Sequence, residues 1–145
     1  MKQSIIQASL FLALALHAAA DSKVILTRAF VPIETTIPGK FDTLDAILPA
    51  LFTLADQAAD KSTEQVYVGG KKNYKDLIFY YRGVRTVGDT VIVSFAKGAE
   101  PYFSGAASFD ATIMKSLTGT VMLYQPNTKG VTLEIDGKAW VNCDA

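Results

Sequence analysis

Histidine and cysteine are nearly absent from this sequence. Its 145 residues include one histidine, His17, and one cysteine, Cys143. Serine and cysteine nucleophiles of the triad type need an imidazole base beside them, and zinc sites need several histidine or cysteine ligands. A single cysteine cannot form a disulfide within the chain. The sequence therefore argues against triad enzymes, zinc sites and a disulfide-stapled fold.

Cofactor signatures and an excess of one charge are missing as well. The chain contains no G-x-S-x-G, Walker A, Gly-rich dinucleotide or H-E-x-x-H motif. Its 14 basic and 14 acidic side chains balance, whereas nucleic-acid binding needs a basic footprint. We therefore expect a non-enzyme with no cofactor, no metal and no nucleic-acid partner. Acid–base chemistry would have to use carboxylates, of which the candidates are Asp42, Asp45, Glu100, Asp110 and Glu134.

The sequence also lacks an apolar run long enough to span a membrane. Leu10–Leu16 is the core of an apolar stretch far shorter than the roughly 20 residues that a spanning helix needs. Lys2 precedes it and Ala18–Ala20 follow it, which is the pattern of a secretory signal peptide. We expect cleavage after Ala20 and a location in the periplasm or outside the cell. Residues 21–145 would then form one domain of 145 − 20 = 125 residues, without His17.

Two hairpins are the strongest structural signals that are present. Within Leu77–Ala96, Gly88-Asp89 fits a type II′ turn, which opposes Val87 to Thr90. One face of this hairpin would be buried: Val84, Thr86, Val91, Val93 and Phe95. The other face would carry Arg85, Val87, Thr90, Ile92 and Ser94. Because Leu77–Tyr81 is apolar on both faces, we expect that strand to be central at its start.

The second hairpin is centred on Asp136-Gly137, the strongest short turn signal in the chain. It would join Val131–Ile135 to Lys138–Asn142. A two-residue loop would pair Leu133 with Trp140, so that Trp140 covers the core.

Two segments have the spacing of amphipathic helices. In Phe41–Asp60 the apolar stripe includes Leu44, Leu48 and Leu51, with Asp42 as the expected N-cap. Pro49 either kinks this helix or begins it. Asp56 and Asp60 form either a solvated pair or a cation site.

The second helix is expected at Ser108–Thr118, with Ser108 as N-cap and Gly119 ending or weakening it. Thr120–Tyr124 is then predicted to be a short strand. Before this helix, Tyr102-Phe103 lies in a predicted loop and is expected to tuck under the fold.

The remaining segments predict short strands and a basic loop. Lys23–Glu34 is expected to be a strand with Pro32 at its edge or end, and Gln65–Val68 a short strand. The loop that follows would either contact an anionic polymer or be a solvated connector, through Lys71, Lys72, Tyr74 and Lys75.

The resulting order is β-α-β-β-β-α-β-β, which indicates an α+β fold with a mainly antiparallel sheet and two helices packed on one face. Several features of Val87–Lys138 resemble the second half of a GerMN (sporulation/germination-type) domain. They are a Gly-Asp turn, a hydrophobic strand, an aromatic loop, a helix and a strand that ends in Asp-Gly-Lys. The resemblance implies an extracytoplasmic, non-enzymatic module of envelope proteins.

Two hypotheses on function follow. The first is an exported binding module of the envelope that contacts a protein or a cell-wall polymer, with a candidate contact surface formed by Arg85, Thr90, Ile92 and Ser94. The second is a small hydrolase or inhibitor-type ligand binder with an aromatic-carboxylate cleft around Tyr80, Tyr102 and Trp140. Cys143 is either an inert residue near the end of the chain or the site of an intermolecular disulfide.

Overall fold

The computed structural model of the chain describes residues 21–28, 31–58, 73–103 and 107–144. Within these ranges the fold is α+β, as the sequence predicts. The expected signal segment, the expected strand Gln65–Val68, and Asp60, Lys71 and Lys72 lie outside the described residues.

Six strands and four α-helices make up the described fold, together with a 3₁₀ turn at Tyr74–Asp76. The strands are β1 Ser22–Arg28, β2 Val31–Ile37, β3 Tyr81–Val87, β4 Thr90–Phe95, β5 Gly130–Ile135 and β6 Lys138–Asp144. The helices are α1 Leu44–Ala58, α2 Leu77–Tyr80, α3 Glu100–Phe103 and α4 Ala107–Tyr124.

These strands form two sheets. β1 and β2 pair as an antiparallel hairpin, and the second sheet has the order β3-β4-β5-β6. Its outer pairs are antiparallel, while β4 and β5 run parallel. A parallel pair needs a long crossover, and here α3 and α4 supply it.

The four-stranded sheet is buried on one face only. Along β4 and β5 every second residue is buried: Val91, Val93, Phe95, Val131, Leu133 and Ile135. These residues join one core with α1, α4 and β1. Phe52 of α1 contacts the rings of Tyr81 and Phe95, which places α1 against this face. Thr86 shares the buried side by register but is exposed, and it bonds Gln125 instead (3.2 Å).

Both predicted hairpin turns are present. Gly88 has a positive φ of 62°, and Val87 pairs with Thr90 as expected. Asp136 and Gly137 have φ of 53° and 75°, the two positive values of a type I′ turn.

The predicted partner of Trp140 is wrong. A β-bulge shifts the register between Leu133 and Glu134, so Leu133 pairs with Val141. A bulge inserts one unpaired residue and redirects the side chains beside it. Trp140 is accordingly 44% exposed and does not cover the core.

The first long helix runs through Pro49 instead of beginning there. Its buried stripe is the predicted one, formed by Leu44, Ile47, Leu48, Leu51, Phe52 and Ala55. The predicted cap is displaced by one residue. Thr43, and not Asp42, is the N-cap, since its Oγ1 accepts a hydrogen bond from the Ala46 N–H (3.3 Å).

The second long helix is longer at both ends than predicted. Ser108 lies within it instead of capping it, and Thr120–Tyr124 is helical instead of a strand. Gly119 does not end the helix. It lies inside the helix at the position where the helix packs against β1. A Cβ at Gly119 would come within 2.8 Å of Ile25 Cγ2, so only glycine lets helix and strand approach this closely.

The start of the central hairpin also differs from the prediction. Residues 77–80 form the helical turn α2, and β3 begins only at Tyr81. β3 is an edge strand, not a central one. Within this apolar run Leu77 is buried in the core, whereas Phe79 is exposed. Tyr102-Phe103 falls in the short helix α3, and Phe103 is buried as expected.

Candidate functional site

The four-stranded sheet leaves one face without a helix over it in the described part of the chain. Its register places Arg85 beside Ile92, and Ile92 beside Thr132. In the same way Ser94 lies beside Glu134. We call this surface the outer face, formed by the side chains of Arg85, Val87, Thr90, Ile92, Ser94, Thr132 and Glu134. The candidate contact residues from the sequence thus lie together on one surface.

Three polar side chains form a network across the outer face. Ser94 Oγ donates to Glu134 Oε2 (2.7 Å) and accepts from Arg85 Nη1 (3.0 Å). Arg85 Nη1 also donates to Glu134 Oε2, which makes an ion pair from β3 to β5 over β4. The side chain of Arg85 is 52% exposed and that of Glu134 is 13% exposed. The network therefore holds the carboxylate in place and presents the guanidinium to solvent.

The network also changes the acidity of its members. The hydrogen bond from Arg85, and then that from Ser94, lowers the pKa of Glu134 from its ordinary value. The same bond to Glu134 raises the pKa of Arg85. Both shifts favour the charged forms. At neutral pH the outer face therefore carries a fixed pair of opposite charges.

A shallow cleft of about 250 Å³ borders the network at the edge of β3. It is lined by Asp45, Arg82, Gly83, Val84, Arg85 and Ser94. Gly83 has a φ of 121° at an irregularity of the β3–β4 pairing, a conformation that side-chain-bearing residues rarely adopt. This local bend lets the edge of β3 meet the first turn of α1.

Asp45 of α1 makes the hydrogen bonds at this contact with β3. Its Oδ1 accepts hydrogen bonds from the Tyr81 hydroxyl (2.7 Å) and from the Val84 N–H (3.0 Å). Burial, and then the bond to Asp45, raises the pKa of Tyr81. Among the residues that line this cleft Asp45 is the only carboxylate, and its hydrogen bonds serve the fold. The cleft therefore offers polar groups for binding and not a facing pair of carboxylates.

The residues of the predicted aromatic cleft do not all come together. Tyr80 and Tyr102 are ring neighbours, with centroids 5.9 Å apart. Trp140 lies on β6, at the opposite edge of the sheet from β3. Three strand spacings separate these edges, about 14 Å at roughly 4.8 Å per spacing. The three aromatic rings thus do not line one cleft.

The predicted basic loop is only partly described. Tyr74 and Lys75 belong to the 3₁₀ turn, so the prediction of a loop is wrong at these two positions. Tyr74 is 7% exposed and part of the core, which removes it as a contact residue, while Lys75 is exposed.

Two members of the site, Glu134 and Asp45, were predicted only as candidate carboxylates for acid–base chemistry, and not as partners of the contact surface. Only the parallel pairing of β4 with β5 brings Glu134 to Ser94 and Arg85. The bonds of Asp45 to β3 depend on the packing of α1, which its position in the sequence does not reveal. A second cleft, of about 330 Å³, lies between the Gly88-Asp89 turn and residues 125–128. The turn at Gly88-Asp89 was predicted from the sequence, but the approach of residues 125–128 to it was not.

Cys143 lies in β6, with its backbone opposite Val131, and thus belongs to the sheet. Among the described residues no group of three or more histidine, cysteine, aspartate or glutamate side chains could hold a metal ion. In the same ranges no helix has the length and apolarity that crossing a membrane would require. Comparisons with protein-family models, with curated proteins and with solved structures found no match to this chain.

Proposed function

We propose that the chain is an exported, non-catalytic module of the cell envelope that binds a partner protein through its outer face. The observation that carries the proposal is the Arg85–Ser94–Glu134 network on a sheet face that no described helix covers. Export is supported by Lys2, Leu10–Leu16 and Ala18–Ala20. The resemblance of Val87–Lys138 to GerMN domains supports a role in the envelope.

The chemistry of the outer face suits binding. Ile92 is half-buried and Val87 is 58% exposed, so apolar surface lies beside the network. The bonds of Arg85 to Ser94 and Glu134 use Nη1, and the Arg85 side chain is 52% exposed, so the guanidinium is held in place and can still donate to a partner. An oriented arginine next to apolar surface is typical of the residues that dominate protein interfaces.

The test is crosslinking in envelope extracts with the wild type and the double variant Arg85→Glu, Ile92→Lys. A matched control makes the same kinds of change elsewhere, Lys97→Glu with Val31→Lys, at two exposed residues. We expect the control to retain the protein partners of the wild type and the outer-face variant to lose them, with both variants folded by circular dichroism. Equal capture by both variants, or capture of a glycan polymer alone, would contradict the proposal.

A further inference from the structure

This inference rests on the proposed function and names the partner. We propose that a second copy of this chain covers the outer face, packed face to face about a twofold axis parallel to β4. Two sheets stack in this way about 10 Å apart, with their strands within about 30° of each other. The twofold makes the interface self-complementary, as in most protein dimers.

The placement of charge on the outer face favours a second copy. Arg85 stands on β3 and Glu134 on β5, so their ion pair crosses β4, with the positive side chain rooted on the β3 side and the negative one on the β5 side. A half-turn about an axis parallel to β4 exchanges these two sides. Each Arg85 then lies over the Glu134 side of the other copy, and unlike charges meet twice. Complementary potentials of this kind select partners, and like charges brought together oppose binding.

The uncharged part of the outer face fits the same arrangement. Beside the Arg85–Glu134 ion pair, uncharged side chains of β4 and β5 continue the outer face: Thr90, Ile92 and Thr132. The half-turn about β4 brings this uncharged strip onto itself, so it adds no like-charge contact.

Of the four sheet edges in the described fold, three are less suited to pairing with another chain, and the fourth is that of β6. On β1, Ile25 and Thr27 donate their N–H groups to Thr120 Oγ1 (3.0 Å) and Ser116 Oγ (2.9 Å) of α4. On β3, Asp45 takes the N–H of Val84. On β2, Pro32 has no N–H, and proline on an edge opposes strand addition. These three edges are therefore blocked, in whole or in part, while the outer face stays open.

The test measures self-association by sedimentation equilibrium, using the protein as the expressing cell produces it. Reducing agent is present throughout, and Cys143→Ser is measured in parallel, so that a disulfide cannot supply the dimer. We expect concentration-dependent dimerisation of the wild type. Arg85→Glu alone and Glu134→Arg alone should each weaken dimerisation at least tenfold, because each brings two like-charge pairs together. An equimolar mixture of the two variants should recover dimers to within a few-fold of the wild type, since the glutamate introduced in one variant then meets the arginine introduced in the other.

Another variant keeps the proposal testable if either single variant does not fold. Arg85→Glu combined with Glu134→Arg in one chain restores an ion pair within the chain. It should dimerise with itself at least tenfold more tightly than with the wild type in a mixture of labelled chains. A wild type that stays monomeric up to about 100 μM, or a mixture that forms no more dimer than its separate variants, overturns this inference. The proposed function fails separately, when the crosslinked partners do not depend on the outer face.

Discussion

At the scale of single residues, position in the network decides what a charged side chain does. Glu134 and Glu34 both make ion pairs, but Glu34 pairs with Lys23 where both side chains are at least half exposed. Glu134 is 13% exposed and also accepts from Ser94. Exposed pairs of the first kind contribute little to stability. The sequence alone does not distinguish these two glutamates, since the difference arises from strand pairing.

The lowered pKa of Glu134 predicts how stability depends on pH. A carboxyl whose pKa is lower in the folded than in the unfolded state stabilises the fold above the ordinary glutamate range. That contribution is lost as pH falls through the lowered pKa. Glu134→Gln should therefore lower the urea midpoint at pH 7, and its effect should shrink as the pH falls below the ordinary glutamate range. Urea unfolding at a series of pH values measures this.

Arg85→Gln provides the control, because the bond from Arg85 is the largest cause of the shift. In that background the effect of Glu134→Gln should depend less on pH. If the difference between wild type and Glu134→Gln is the same at pH 7 and pH 3, the network does not act as described.

At the scale of elements, local sequence signals predict the turns and the main apolar stripes. They do not predict contacts between elements that lie far apart in the sequence. Gly88-Asp89 and Asp136-Gly137 determine their own turns, so both hairpins were predictable. Gly119 looks like a helix end in the sequence, and only the contact with Ile25 shows why it lies inside α4. The bulge beside Leu133 and the helical turn at Leu77 likewise depend on partners far along the chain.

The contact between α1 and β3 gives a prediction at this scale. Asp45→Ala removes the acceptor of two hydrogen bonds, from Tyr81 and Val84, and a negative charge at a helix start. Hydrogen bonds to charged groups contribute about 1.5–3 kcal/mol each when buried, and these are partly exposed, so we expect a total loss of about 1–3 kcal/mol. Urea unfolding measures the free energy of unfolding.

Asp42→Ala is the matched control, because Asp42 is exposed, is not the cap, and pairs only loosely with Lys40 (3.8 Å). It should change stability by no more than about 0.5 kcal/mol. Equal losses in the two variants would mean that the loss reflects helix-start charge alone and not the contact with β3.

At the scale of the whole molecule, hydroxyl groups of α4 join the two sheets into one core. Ser116 and Thr120 are both fully buried and lie one helical turn apart. Thr120 Oγ1 accepts from the Ile25 N–H and donates to the Ile25 carbonyl oxygen. The helix thus satisfies backbone groups of β1 that a neighbouring strand would satisfy in a larger sheet. The sequence does not predict these hydrogen bonds between α4 and β1, since serine and threonine inside a helix are usually interpreted as surface residues.

Thr120→Val should therefore destabilise the fold, although valine matches threonine in size. The change leaves the partly buried N–H and carbonyl group of Ile25 without their partner, and we expect a loss of about 1–2 kcal/mol. Thr53→Val is the control, because the Thr53 hydroxyl is exposed and bonds only to the Pro49 carbonyl oxygen of its own helix (3.4 Å). That change should stay within about 0.5 kcal/mol. Hydrogen exchange adds a second measurement: in Thr120→Val the Ile25 amide should exchange faster relative to the amides of β4. If Thr120→Val is as stable as Thr53→Val and exchange at Ile25 is unchanged, then apolar packing alone, and not the hydroxyl bonds, joins β1 to α4.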